Sequence, residues 1–490
     1  MPALLALSLI GAFCLLGVAL RRRIPPLRSA LVPATVIAGF LGLIAMNLGL
    51  PRLVDGVDAS VFAALTAQLF TLSFISIGLA RAPRTDSPGT AGRTGGRRAS
   101  GLLLGAWAMG LTWVVLFTAQ AIAGFGVVAA VGGPSDMHPM YGLLAAFAFA
   151  QGPGQAATFG AIFEQQGWEG AVDVGLAFAA AGFFAAFALG VPLARWGMRK
   201  GLARHAAPFT PSVQRGYFGP EEDTEQIGRQ TMFSGSIDTL SLHMAVMGVC
   251  YLLAHGLSWA FSFLPGFLGT TMSGLMFFNG LLAAYIVRWA MGLLRADHLL
   301  DPGMQNRITG FTSDFLVVAS FMAVQLAVVL AWIVPILATI AVVTALSLVI
   351  AFFLGQRYGS DHDFERAMGM FGTGTGTTPT GLALVRIIDP GMRTRTMAEM
   401  GLMNLPEMTY LPAMLVISAA FAGSLGAWPA AGILVTLLAG IVLLMLATRS
   451  IGPRTWTFRG GHAAAPAADA ETAESTESAD SPAAVDPSRD

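Results

Sequence analysis

Free backbone groups and hydroxyls at membrane depth are the chemistry this sequence offers. Residues 371–389 read FGTGTGTTPTGLALVRIID, and the ten residues from Gly372 to Gly381 are four glycines, five threonines and one proline. Glycine inside a helix costs about 1 kcal/mol and proline about 3 relative to alanine. Pro379 also steers Thr378 away from helical angles. Long apolar runs lie on both sides, so the helix breaks within the bilayer. Hydrocarbon tolerates broken backbone only where protein buries it or where it lines a wet cavity. Amides at a half-helix N-terminus suit an anionic group. Carbonyls and hydroxyls suit a hard cation such as sodium. Gly374, Thr375, Gly376, Thr377, Thr378 and Thr380 are therefore candidate solute ligands, and Thr373 and Thr375 candidate sodium ligands. The plain alternative is a kink that lets helices pack closely through small residues. A channel filter also alternates glycine and threonine, but it needs symmetric copies around one axis.

A second break is expected at Ala150 to Gly160, AQGPGQAATFG. Setting Gly152 on Gly374 brings Gly154 onto Gly376, Ala157 onto Pro379 and Thr158 onto Thr380. Interrupted segments in corresponding positions of two halves point to the binding site of a transporter built from repeats. Gly152, Gly154, Gln155 and Thr158 join the candidate solute ligands, with Gln151 and Gln155 offering amides.

Further polar groups stand in apolar surroundings. Asp314, beside Thr312 and Ser313, is a costly intramembrane carboxylate and is read as a sodium ligand with those two neighbours or as a partner for a substrate ammonium. An interfacial acid solvated by water is the alternative. Asn404 and Glu407 sit one turn apart around Pro406, which breaks the helix locally. Glu407 would meet the substrate, take a proton or pair with Arg386. Arg386 would clamp a carboxylate in bidentate fashion or act as a cytoplasmic topology charge. Asp173 and His243 are lone polar residues of the kind a neighbouring helix usually satisfies. The chain has no GxxxxGK[ST] loop and no HExxH, so neither ATP hydrolysis nor chemistry on the substrate is expected. No cofactor is expected beyond sodium as a coupling ion.

The elements that must position these groups are membrane helices. Of 490 residues 55% are hydrophobic and only 11% charged, against about 25% charge in soluble proteins. Net charge is zero and Lys200 is the one lysine, so nothing suggests nucleic acid. Cys14 and Cys250 lie in apolar stretches and imply no disulfide framework. Spans of roughly 20 residues fall near 3–20, 30–50, 58–80, 101–131, 169–194, 236–260, 268–293, 309–333, 335–356, 397–423 and 427–448. That is eleven crossings, with 140–167 and 364–390 as re-entrant hairpins. The first run ends in Arg21-Arg22-Arg23 and is read as a retained helix. With the N-terminus outside, 27 of the 28 Lys and Arg residues fall on the cytoplasmic side and only Arg52 does not, as the positive-inside rule requires.

The predicted fold is thus all-α and polytopic. Residues 1–198 form a first membrane repeat, 199–235 a cytoplasmic linker, and 236–425 a second, inverted repeat. Five crossings in the first half put the two hairpins on opposite faces. Phe70–Ile75 (FTLSFI) also resembles Phe311–Leu316 (FTSDFL) in the second half. Residues 426–448 are an extra helix, and 461–490 an acidic, disordered, cytoplasmic tail.

Three stretches resemble the bacterial sodium/glutamate symporters (ESS family). They are DHDFERAMGMFGTGTGTTPTGLAL from Asp361, GPGQAATFGAIFEQQGWEGAVDVGLAFAAAGFF from Gly152, and LFTLSFISIGL from Leu69, within a likeness spanning about 30 to 420. The resemblance implies two inverted five-helix halves, a homodimer in the bacterial plasma (inner) membrane, and sodium-driven uptake of glutamate. It implies an elevator motion of the hairpin-bearing part. A sodium- or proton-coupled carrier of another organic acid is the second expectation, and a membrane-embedded enzyme or channel the third.

Overall fold

The computed structural model describes residues 2–29, 31–54, 56–80, 95–206, 215–217, 219, 222, 228–359, 362–390 and 393–457. The expected tail at 461–490 lies outside the described residues, as does most of the acidic part of the linker.

Every regular element among the described residues is helical. In chain order they are α1 (Pro2–Arg23), α2 (Pro25–Ser29), α3 (Ala34–Leu48), α4 (Leu50–Leu53), α5 (Ala59–Leu79) and α6 (Gly95–Val131). The first hairpin follows as α7 (Leu144–Phe149) and α8 (Pro153–Glu164), then α9 (Ala171–Arg199). The second half holds α10 (Thr239–Phe261), α11 (Phe267–Gly274), α12 (Met276–Leu293), α13 (Pro302–Met322), α14 (Leu326–Ala331) and α15 (Ile333–Gly355). The second hairpin is α16 (Asp363–Gly374) and α17 (Thr378–Ile388). Next come α18 (Thr396–Leu402), α19 (Asn404–Glu407), α20 (Leu411–Phe421) and α21 (Ala427–Ala447).

Among the described residues, eight helices are long and apolar enough to cross a bilayer, and the protein is a multi-pass membrane protein. Three of the eleven expected spans take another form. The second span is a 15-residue helix, α3, closed by Gly49 in the left-handed region. The expected span at 309–333 begins earlier, because the Asp301 carboxylate caps α13 by accepting from the Met304 amide. It also ends earlier, at Met322. The expected span at 397–423 is divided into α18, α19 and α20, with Pro406 and Pro412 inside the run.

The backbone between α13 and α14 is satisfied by two side chains from the first half. Asn47 donates to the Val324 carbonyl and accepts from the Leu326 amide at 3.0 and 2.9 Å. Asp173 accepts from the Gln325 amide at 3.0 Å. Asp173 is therefore satisfied by a neighbour, as its isolation suggested. So is His243, which bonds the Thr239 carbonyl at 2.7 Å and accepts from the Asp301 amide at 2.9 Å.

The helices pack as two groups. In one, α5 and α13 lie against each other, α3 and α1 cover α13, and α12 and α10 cover α5. The matched segments 70–75 and 311–316 thus sit on directly packed helices. Their contact carries a polar cluster in which Ser76 donates to Gln305 and Thr309 donates to Ser76 at 2.9 Å. In the other group α6 runs through the centre, against α15, α21 and the hairpin arms, while α9 backs both hairpins. The groups meet chiefly where α8 lies on α5.

Arg366 departs from the loop position that the arginine count gave it. It is buried in α16, held by Glu399 of α18 through two bonds of 2.7 and 2.5 Å and by Asp363 at 3.2 Å. Unpaired it could not stay there. Thr455, beyond the last helix, donates to the same Asp363 at 2.8 Å, and Trp456 wedges against Phe352 and Phe364.

Candidate functional site

Both glycine-rich stretches break where expected, and the breaks touch. α16 stops at Gly374 and α17 restarts at Thr378, while α7 stops at Phe149 and α8 restarts at Pro153. Proline falls at the first or second position of each restarting helix, where its missing N–H costs nothing. Gly152 has φ 79° and ψ −174°, a region essentially reserved for glycine. A side chain there would strike the Thr377 methyl group and come within 2.9 Å of the Gly376 carbonyl oxygen. The helix restarts therefore set Gly152 opposite Thr377, three residues along from the register in which it matched Gly374. The N-terminal ends of α8 and α17 adjoin at this junction, and helix N-termini favour anions.

Side chains of α6 hold both tips, and sequence reasoning missed them. Gln120, fully buried, donates through Nε2 to the Gly374 carbonyl at 2.7 Å and to the Ser347 hydroxyl at 2.9 Å. The Trp113 indole donates to the Ala150 carbonyl at 3.1 Å. A lone amide in an otherwise apolar run was the available signal for Gln120. Behind the second tip the arms of the hairpin close through glycines: a side chain on Gly372 would sit 2.7 Å from the Gly381 Cα.

The hydroxyls divide into occupied and free. Thr375 donates to the Phe371 carbonyl at 2.7 Å and Thr158 to the Gly154 carbonyl at 2.8 Å. Thr377 and Thr380 bond each other at 3.2 Å. The buried Thr373 hydroxyl has no partner among the described residues, nor do the side-chain oxygens Oε1 of Gln120, Gln151 and Gln155. Gly154 packs on the Phe70 ring, which joins the first hairpin to α5. Thr377 and Thr378 are half-buried and Pro379 is exposed, so one side of the second tip is open.

The remaining candidates scatter. Arg386 is exposed on α17, and Asn404 is exposed with its amide 3.4 Å from the Gly401 carbonyl. Glu407 is buried, and its Oε1 has no partner among the described residues, so the pairing with Arg386 does not form. Thr312 spends its hydroxyl on the Ile308 and Thr309 carbonyls of its own helix, at 3.0 Å each. Ser313 is half-buried, and Asp314 is exposed near Cys14, at the middle of α13 rather than close to its start. No described contact joins residues 312–314 to Thr373 or Thr375. Among the described residues no three acidic, histidine or cysteine side chains form a metal cluster. A cation at the tips would meet neutral oxygens.

Comparison with known proteins agrees with this geometry. The family model described as sodium/glutamate symporter matches residues 2–390, which include both hairpins. The sodium/glutamate symporter of Escherichia coli (strain K12) is 25% identical over 378 residues, 76% of this chain and 86% of the relative. That of Shigella flexneri aligns to the same extent. The match begins earlier than residue 30 and ends before 420. Two broken hairpins meeting at their tips, inside a helical membrane protein whose chain the family model covers over most of its length, lead to one assignment: this chain belongs to the sodium/glutamate symporter family, a family of transporters and not of enzymes.

Proposed function

We propose that the protein carries L-glutamate across the membrane together with sodium. One observation supports this above the others: Gly152 abuts Gly376 and Thr377, so the N-termini of two half-helices adjoin. In this reading the amides and hydroxyls from Gly374 to Thr380 receive a carboxylate of glutamate. Carbonyls at the breaks, with Thr373 and Thr375, receive sodium. Gly152, Gly154, Gln155 and Thr158 complete the site from the other hairpin.

The motion we assign is an elevator, with α6, α9, α15 and the hairpins sliding against the group built on α5 and α13. The exchanged packing of the halves supports an inverted repeat: α3 of the first half lies on α13 of the second, and α12 of the second lies on α5 of the first. The family likeness supports a homodimer in the bacterial plasma membrane, and the arginine distribution supports an outside N-terminus and a cytoplasmic tail.

Thermal stability of the purified protein tests the ligand assignment. L-glutamate should raise the melting temperature only with sodium present, since a ligand stabilises in proportion to ln(1 + [L]/Kd). A second reading, coupling to protons with another organic acid as cargo, draws on the buried Glu407, whose Oε1 has no partner among the described residues. Stabilisation by a different acid, independent of sodium, selects it.

A further inference from the structure

Glutamate brings an ammonium as well as two carboxylates, and the second hairpin offers its tip no acid. The oxygen acceptors that an ammonium needs stand beside the first tip instead. Glu407 and Tyr410 are three residues apart in helical backbone, so they share a face. The Tyr410 side chain lies beside that of Gln151, which sits inside the first break. Tyr410 is fixed there by Trp113 and Phe117, whose rings lie edge-on to it at 5.4 and 5.3 Å. Trp113 in turn bonds Ala150, the first residue of the break. Glu407 is 8% exposed, and no charged side chain among the described residues acts on it. Its Oε1 and the Gln151 Oε1 are both shielded from solvent and both without a partner among the described residues.

We propose that Glu407, Tyr410 and Gln151 form the subsite that receives the ammonium group of the transported amino acid, and that Glu407 sets the preference for amino acids over plain dicarboxylates. Three oxygens match the three N–H donors of an ammonium. An acid held in an apolar bundle without a cation is costly and usually functional; a cationic group supplied by the cargo offsets that cost. Glu407 and Tyr410 lie beyond the family match, which stops at residue 390, whereas Gln151 lies within it. The inference rests on the proposed function, because it places the ammonium of a substrate whose carboxylates the tips receive.

Binding to the full-length protein in sodium, measured for L-glutamate and for glutarate, tests both. Glutarate keeps the two carboxylates and lacks the ammonium. Wild-type protein should prefer L-glutamate by about a hundredfold or more, in the range expected when a desolvated charge pair loses one partner. Glu407→Gln should weaken L-glutamate by a similar factor and leave glutarate within about threefold of its wild-type value. Gln151→Leu should weaken L-glutamate about tenfold and spare glutarate, which keeps the test open if the first variant does not fold. Equal losses for the two ligands in either folded variant, or no wild-type preference, overturn the subsite. If neither ligand binds wild-type protein in sodium, the proposed function falls and the subsite with it.

Discussion

At the scale of single residues, the molecule depends on a few positions where one atom more or less changes the backbone. Gly152 holds a conformation essentially closed to other residues and presses on Thr377. Gly152→Ala should cost about 1–3 kcal/mol in backbone strain alone and abolish glutamate uptake, while the protein still inserts and purifies. Undiminished uptake would show that the tips need not touch. Gln120 is the second such residue. Gln120→Leu leaves the Gly374 carbonyl without its buried donor, a loss of about 1–3 kcal/mol. Sodium-dependent glutamate affinity should fall with it, and Gln120→Met, which keeps the length of the side chain but has no N–H to donate, should fare no better. The glycine was legible in the sequence, because its neighbours could not make helix. The glutamine was not, because its partners, Ser347 and Gly374, lie 227 and 254 residues away.

At the scale of elements, hydropathy located most helices and both breaks but misplaced those that polar contacts hold. α13 starts within PGMQNRI, a stretch too polar to read as a span, because Asp301 caps it. The backbone that follows α13 is paired by Asn47 and Asp173 from the other half of the sequence. Arg366 shows the same limit: its type suggested a loop, and only the fold brings Glu399 to it. That pair ties the base of the second hairpin to α18. Glu399→Gln or Arg366→Met should each destabilise the protein by about 3–5 kcal/mol, because a buried charge loses its closest counterion. Replacing both by apolar residues of similar volume should recover part of that loss, since Asp363 keeps its bonds from the Gly359 amide and the Thr455 hydroxyl. Thermal melting of the three variants checks it, and a double variant as unstable as the sum of the singles would contradict the account.

At the scale of the whole molecule, the sequence carried the idea that two distant breaks belong together, from a short local match between its halves. It could not carry the register, which the helix restarts set three residues away, nor the contact itself. Nor could it tell that residues 312–314, grouped with the second break as sodium ligands, lie on a helix packed against α1, α3 and α5. What unites the chain is an interior arrangement: α6 holds both tips, α9 backs them, and α8 meets the α5–α13 group. Uptake of labelled L-glutamate into proteoliposomes measures whether that arrangement transports. Uptake should be driven by an inward sodium gradient and vanish when sodium is replaced by potassium on both sides. Glutamate accumulation at the same rate without sodium would contradict the account.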